Sequence, residues 1–305
     1  MPFFMDPDKL VTLEQAAAKV SDGDVVALGG GLSARLPMAL VRELIRQGRR
    51  DLHLVGSAHG IDVDLLVAAK AVSICEESYV GFEQDLGLAP SYRRAAEGGE
   101  IRIAESCCIT ILTQLRAAEA GVPFLPVRGV KGSDIRSLHP EYAEITCPFT
   151  GEVLVAVPAL SPDVALIHAS LGDRRGNLHF DKPYVLDERF ASASKLVVAT
   201  VERMASTAEV TAAGITVPAH LVAAVAEAPF GAHPSSCYPH YAYDRKHLRE
   251  YVEAAATAKG ATEYLERFVI GTPTEEGYRK LLGEESLERL RGWNTSTQAW
   301  KELFE

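Results

Sequence analysis

A short apolar run that stops on three glycines and resumes as an amphipathic segment constrains this chain more than any other feature. Val25-Val26-Ala27-Leu28 precedes Gly29-Gly30-Gly31, and Ala39, Leu40, Leu44 and Ile45 follow at helical spacing. The order reads as strand, tight loop, helix. Glycine admits positive φ and close backbone approach. Amides at a helix N-terminus favour anionic groups. Gly29, Gly30 and Gly31 are therefore expected to line the site of an anionic ligand. The plainer reading is a tight turn that binds nothing.

A dinucleotide is the first anion to test. Gly29, Gly31 and Ala34 fit the G-x-G-x-x-G/A pattern, but that spacing is weak by itself. A nicotinamide site also needs an acidic residue about twenty positions on, at the end of the second strand. That strand, Leu52-His53-Leu54-Val55, runs into Gly56-Ser57-Ala58-His59 without an Asp or Glu. Pro37 suits a helix that starts near Leu36. The nicotinamide reading is set aside. G-x-S-x-G and G-x-x-x-x-G-K-[ST] are also missing from the sequence, which disfavours serine hydrolases and P-loop enzymes.

Bulk properties exclude further classes. The 305 residues, 47% of them hydrophobic, suffice for one large α/β domain or two small ones. A formal net charge of −10 without a basic run argues against a nucleic-acid partner. No stretch reaches the roughly eighteen apolar residues of a membrane span. The start, Met1-Pro2-Phe3-Phe4-Met5-Asp6, does not read as a signal peptide. Five cysteines, none in C-x-x-C spacing, suit a reducing cytoplasm. Cys107-Cys108 lies in an apolar helical stretch and reads as packing.

Along the chain, Thr12-Leu13-Glu14-Gln15 is a capping-box pattern that predicts a helix from Leu13 to Val20. Strands are expected at 52–55, 71–75, 101–104, 124–127, 153–157, 164–167 and 195–200. Pro123 and Pro126 keep the 124–127 strand brief. Helices are expected at 61–69, at 92–97, and after a Ser106 cap, where Ile109, Leu112, Leu115 and Ala118 share a face. From Asp244 onward the chain reads mostly as helix. The alternation argues for an α/β fold with an open, mainly parallel, doubly wound sheet. Residues 1–305 read as one domain with a helical C-terminal extension over 244–305. The apolar positions between Glu275 and Glu305, from Tyr278 to Trp300, are expected to pack on that same domain.

Several groups qualify as candidates for chemistry. Glu105 ends a strand just before a helix, the edge where ligands bind in open α/β sheets. It is a base, acid or nucleophile there, or only a carboxylate favoured by the helix dipole. Two adjacent carboxylates such as Glu76-Glu77 are commonly a solvated turn, and Glu76 is read that way, while Gly81, next to Phe82, admits close approach of a ligand. Arg128-Gly129-Val130-Lys131-Gly132-Ser133 offers two cations and two glycines for a phosphate or carboxylate, or is an exposed basic loop. His168 with Asp173 suggests a dyad, but a satisfied structural histidine is the commoner case. His233, Cys237 and His240 match no zinc spacing, and no metal is expected.

Taken in order, these motifs resemble the α (A) subunit of class I CoA-transferases of the glutaconate CoA-transferase type. The matching pieces are Gly29-Gly30-Gly31 with Pro37, Tyr79-Val80-Gly81-Phe82-Glu83, Glu105-Ser106, and Gly121-Val122-Pro123-Phe124-Leu125-Pro126 leading into Arg128-Gly129. Pro148-Phe149-Thr150-Gly151-Glu152, Gly172-Asp173-Arg174-Arg175-Gly176-Asn177 and Glu227-Ala228-Pro229-Phe230-Gly231 continue the match. It spans roughly residues 10 to 270, and the number and order of the motifs make it specific.

The resemblance implies an open α/β sheet and a β-subunit partner, often in an α2β2 assembly. It implies a coenzyme A thioester as substrate, with no further cofactor. In such enzymes a β-subunit glutamate attacks the acyl-CoA, a glutamyl-CoA thioester forms, and CoA passes to a second carboxylate. The glycine loop and the strand-end loops of this chain, with Gly81, Phe82, Arg128, Gly129 and Ser133, would then line a shared pocket. A related branch resembles the subunit pair that hydrolytically opens a ring in a CoA-linked intermediate of bacterial steroid degradation. There a glutamate of the α chain acts, and Glu105 matches that position. Sugar-phosphate-sensing regulators also resemble this fold. They usually carry an N-terminal DNA-binding helix pair, and only about a dozen residues precede the first helix here.

Overall fold

Strands that are buried on both faces read as unbroken apolar runs, and the centre of this molecule is built from such strands. The computed structural model describes residues 8–182 and 185–303. Its strands are β1 (Val25–Leu28), β2 (Leu52–Val55), β3 (Ala58–His59), β4 (Val72–Glu76), β5 (Tyr79–Val80), β6 (Arg102–Ile103), β7 (Phe124–Val127), β8 (Ala143–Thr146), β9 (Val153–Pro158), β10 (Val164–Gly172), β11 (Leu178–His179), β12 (Val197–Met204) and β13 (Val222–Glu227). The main sheet is ordered β13-β12-β10-β1-β2-β4-β6, all parallel, and β11 adds antiparallel to β10.

The order reverses beside β1. The chain runs outward through β2, β4 and β6, then returns to β10 on the other side of β1. Open α/β sheets bind ligands in the crevice at such a switch point. The loop of three glycines follows β1 and therefore stands at that point. Alternation along β1 sends Val26 and Leu28 to one core and Ala27 to the other. Leu54, Leu166 and Val198 continue the first core, and Val55, Ile167 and Ala199 the second.

Local signals set most element ends. Thr12 Oγ1 accepts the Gln15 N–H, and Gln15 Oε1 accepts the Thr12 N–H, both at 3.1 Å. The helix they start ends at Ala17, short of the expected Val20. The helix after the glycine loop is Met38–Arg46 with Pro37 as its cap, two residues later than expected. The helix expected after a Ser106 cap is Cys108–Glu119, capped by Cys107. The Cys107 N–H donates to Thr110 Oγ1, and the Ser106 hydroxyl lies 3.2 Å from that same oxygen.

A separate sheet of β7, β9 and β8 was not expected as a unit. It is antiparallel, in the order β7-β9-β8. Pro126 fits because β7 is an edge strand, where a missing N–H removes no ladder bond. β3 and β5 form a small parallel pair that holds the chain segments beyond β2 and β4 together.

Beyond Asp244 the chain is helical, beginning with Arg245–Ala255 and ending with Thr297–Glu302. It folds back on the rest of the molecule. Arg42 donates to both oxygens of Glu275, at 3.0 and 2.5 Å, and Arg46 adds a bond at 3.1 Å. Leu287, Leu290 and Leu303 pack with Phe230 and Tyr241. No helix among the described residues is long and apolar enough to cross a membrane. Residues 1–7, where no leader is expected, lie outside the described residues.

Candidate functional site

The glycine loop is built for close packing. A Cβ on Gly29 would stand 2.7 Å from Ile167 Cγ2 and 2.8 Å from Asp187 Oδ1. Gly30 has φ +72°, and a Cβ there would lie 2.5 Å from the carbonyl oxygens of Ala34 and Arg35. The amides expected to face an anion have partners within the chain. Gly29 donates to the Leu166 carbonyl at 2.8 Å, Gly30 to Asp187 Oδ1 at 2.9 Å, and Gly31 to the Ala34 carbonyl at 2.9 Å. The group facing Gly30 is itself a carboxylate, ion-paired with the buried Arg35 at 3.0 Å. The loop is a packed corner whose N–H groups are all engaged.

What the corner presents is the next two residues. Leu32 and Ser33 join Gly81, Phe82, Ile61 and Tyr243 around a pocket of about 210 Å³. A Cβ on Gly81 would lie 2.6 Å from the Tyr79 hydroxyl, and one on Gly60 would lie 3.0 Å from the Gly81 carbonyl oxygen. Glycine at both positions lets these loops close on one another. The pocket wall is mostly apolar, with Ser33, Asp85 and Ser235 as its polar members.

Glu105 lies elsewhere, exposed between β6 and the helix Cys108–Glu119. It lines an open depression of about 490 Å³ with Glu76, Arg102, Leu138, His139 and Glu141. His139 Nε2 donates to the Glu105 carbonyl, and His139 Nδ1 lies 2.7 Å from Glu141 Oε1. Burial opposes a charge on His139, but this carbonyl and carboxylate outweigh it and raise its pKa. Glu105 stands two residues before the helix cap and takes no part in the cap.

The solvated turn expected at Glu76 is overturned, because its side chain is buried, as is that of Glu77. Glu76 meets His53 Nε2 at 3.1 Å. Glu77 is only 5% exposed, and neither carboxyl oxygen has a hydrogen-bond partner. A Cβ on Gly56 would collide with it. Burial pushes the Glu77 pKa up to about 8, against the opposing pull of His59. His59 lies 2.6 Å from Asp62 Oδ2. Burial opposes its charge, yet Glu77 and Asp62 raise its pKa to about 9.

The packing role expected for Cys107-Cys108 fails for the second residue. The Cys108 thiol is exposed, 2.9 Å from Ser78 Oγ. Hydrogen bonds from Ser57 and Ser78 lower its pKa.

Arg128, Gly129 and Ser133 lie beyond β7 and line neither the pocket nor the depression. Arg128 is paired through Nε and Nη2 with Glu152, each at 3.0 Å. Gly129 packs against Ile109 of the helix that follows Glu105, and the Ser133 hydroxyl donates to the Val130 carbonyl. The structure thus joins Gly81 and Phe82 to the end of the glycine loop in one pocket, whose lining includes neither Glu105 nor Arg128.

His168 does not meet Asp173. It lies 2.9 Å from Thr200 Oγ1 and 2.7 Å from Glu202 Oε1, while Asp173 accepts the Arg175 and Asn177 amides in its own turn. His233 lies near Tyr278 and Asp244. Among the described residues, Cys237 comes together instead with His168 and Glu202. Glu202 also accepts from the Tyr241 hydroxyl and the Phe230 amide, which makes it a structural hub.

The coenzyme A transferase family profile matches residues 10–228. The chain belongs to the coenzyme A transferase family. This family member is 31% identical to the A subunit of 3-oxoadipate CoA-transferase from Pseudomonas knackmussii, over 90% of this chain and 99% of that protein. It is 34% identical to the IpdA subunit of the cholesterol ring-cleaving hydrolase of Rhodococcus jostii, over 89% and 95%. Its fold matches the crystal structure of glutaconate coenzyme A-transferase from Acidaminococcus fermentans with a TM-score of 0.88 and 31% identity, covering 93% of this chain and 95% of that one. The chain spans 64% of the length of an uncharacterised Archaeoglobus fulgidus relative, at 34% identity.

Within this transferase-family chain, sequence reasoning missed Asp187, Glu202 and the pairing of Gly56 with Glu77. Gly56 directly after β2 was the one available signal, since a glycine at a strand end marks close approach. Nothing in the sequence joins Asp187 to a loop more than 150 positions away.

Proposed function

We propose that this chain is the α subunit of a two-subunit CoA-transferase that moves CoA between an acyl-CoA and a carboxylic acid. A β subunit completes the enzyme, in an α2β2 assembly, and carries the attacking glutamate. The observation that carries this reading is the match to glutaconate coenzyme A-transferase over nearly the whole of both chains. The geometry supports it. Glu105 is exposed at the carboxyl edge of the sheet, open to a second chain, and Glu77 is sealed away and unable to reach a thioester. The acyl-CoA is substrate, and no resident cofactor or metal is needed. All five cysteines are unpaired, which supports a cytoplasmic setting.

A second reading has a specific observation behind it. The IpdA relative, 34% identical, belongs to a hydrolase, and Glu105 stands at the rim of a depression with room for a substrate. In that reading Glu105 is the acting carboxylate and the product is a ring-opened CoA thioester.

One experiment separates the two. The chain is purified with its β partner, and acyl-CoA loss is followed with and without added carboxylic acids. Loss that requires the acid, with a new acyl-CoA formed, establishes the transferase. Loss without an acid, abolished by Glu105→Ala, establishes the hydrolase.

A further inference from the structure

The ends of three strands meet at the pocket beside the glycine loop. Leu32 and Ser33 follow β1, Ile61 follows β3, and Gly81 and Phe82 follow β5. Leu248, from the helix Arg245–Ala255, joins the lining with Tyr243 and Ser235. The pocket therefore stands at the carboxyl edge, where open α/β sheets bind ligands.

Its wall sets what can enter. Leu32, Ile61, Phe82, Leu86 and Leu248 supply hydrocarbon, and none of the described lining residues is Lys, Arg or His. Two of the three polar members are engaged. The Ser235 hydroxyl accepts the Leu36 N–H at 3.0 Å and donates to the Ala232 carbonyl at 2.6 Å. Asp85 accepts from Arg245, with Nε at 2.7 Å from one carboxyl oxygen and Nη2 at 2.6 Å from the other. A carboxylate that entered this space would face the negative Asp85, with no cation in the wall to pair with. Burying a charge without a partner is costly. An apolar chain meets no such penalty and gains from leaving water.

The size sets a further limit. The space is about 210 Å³. A cavity of about 150 Å³ lined by such side chains holds a benzene ring. On that scale the pocket has room for an unbranched chain of about four to eight carbons.

We propose that this pocket takes the acyl chain of the CoA thioester, and that it selects short chains with an apolar far end over chains that end in a carboxylate. The inference rests on the reading of the substrate as a CoA thioester and names the class of its acyl group. Asp85 contributes by holding Arg245 in an ion pair, which keeps that cation from a carboxylated chain.

The test measures binding to the complete two-subunit enzyme. The probes are CoA thioethers, which have no carbonyl and cannot react: ethyl, butyl, hexyl, and a hexyl chain whose end methyl is replaced by a carboxylate. Kd is expected to fall about two- to fourfold for each added methylene up to hexyl. The carboxylated probe should bind at least about tenfold more weakly than hexyl. Leu86→Trp fills the pocket and should flatten the length series. Asp85→Asn releases Arg245 from its ion pair and should narrow the gap between the carboxylated and hexyl probes by about threefold or more. A wild-type Kd independent of chain length, or a carboxylated probe that binds as tightly as hexyl, overturns the proposal. So does a length series left steep in Leu86→Trp, or a gap unchanged in Asp85→Asn. Should either variant not fold, the wild-type series still decides. Because the probes do not react, the outcome is the same whether turnover proves to be transfer or hydrolysis. Failure to bind any of the thioethers would overturn the CoA-thioester reading as well, whereas binding without a gain from chain length overturns this inference alone.

Discussion

Asp187 Oδ1 accepts the Gly30 amide hydrogen at 2.9 Å, which ties the loop after β1 to the first turn of the helix Asp187–Ala193. The second oxygen of Asp187 holds Arg35 at 3.0 Å, and both side chains are almost wholly buried. One carboxylate therefore fixes both ends of the turn. Leu32 and Arg35 are held at φ of 52° and 50°, a left-handed conformation that costs free energy for residues with a side chain. Packing around Asp187 overrides that cost.

Removing Asp187 should be expensive. Asp187→Ala leaves Arg35 as a buried charge without its ion pair, and breaking such pairs costs about 3–5 kcal/mol. Urea unfolding of the variant is expected to show a loss of that order. A loss below about 1 kcal/mol would mean that the other contacts of Arg35 compensate it.

The ion pair between Arg42 and Glu275 predicts how the C-terminal helices are held. Arg42→Met leaves Glu275 with Arg46 alone and strips the cation from the Tyr278 ring, 3.9 Å away. Stability is expected to fall by about 3 kcal/mol, and limited proteolysis should cut within residues 244–303 before the sheet is attacked. Cleavage unchanged from wild type would assign the anchoring to the apolar contacts of Leu287 and Leu290.

Glu105→Ala tests function without confounding the fold. The side chain is exposed, and its carboxyl enters no hydrogen bond in the helix cap, so unfolding should shift by less than about 0.5 kcal/mol. If the partner supplies the nucleophile, acyl-CoA turnover should fall by less than about tenfold. A loss of about a hundredfold or more is the size expected when a general base is removed. That result would place the chemistry on this chain.

Glu77 and His59 make stability depend on pH in one direction. Each has a folded-state pKa above its ordinary value, about 8 against 4.5 for Glu77 and about 9 against 6.5 for His59. The folded state therefore binds more protons than the unfolded one in those windows, and stability falls as pH rises through them. For Glu77 the contribution is whole below pH 4.5 and lost by the time pH passes about 8. For His59 it is whole below pH 6.5 and lost through about 9. Melting temperatures should drop between neutral pH and about pH 9, less steeply in Glu77→Gln. An equal drop in the variant would mean that Glu77 is already ionised in the folded protein.

The parts of the fold that rest on local pattern were legible. The Thr12 and Gln15 capping box, the apolar runs of β1, β2 and β10, and the glycines after β1 all follow from neighbours in sequence. So does the motif order that marks the family. The small antiparallel sheet was less legible, because β7 finds its partner β9 only across residues 128–152. At the candidate site the difficulty was the same. Gly29 to Gly31 are needed, but their amides bond to Leu166, Asp187 and Ala34. Glu76-Glu77 has the polarity of a surface turn and is instead enclosed.

The sequence by itself determined the alternation of strand and helix, the strand–glycine–helix corner and the family, since periodicity and turn chemistry act over a few residues. Only the tertiary structure decided which groups are charged and which are engaged. Burial, and donors and acceptors brought together from distant positions, set the state of Glu77, His59 and Asp187. The free energy of a polar side chain depends on what surrounds it in space, and that is not written in the residues beside it.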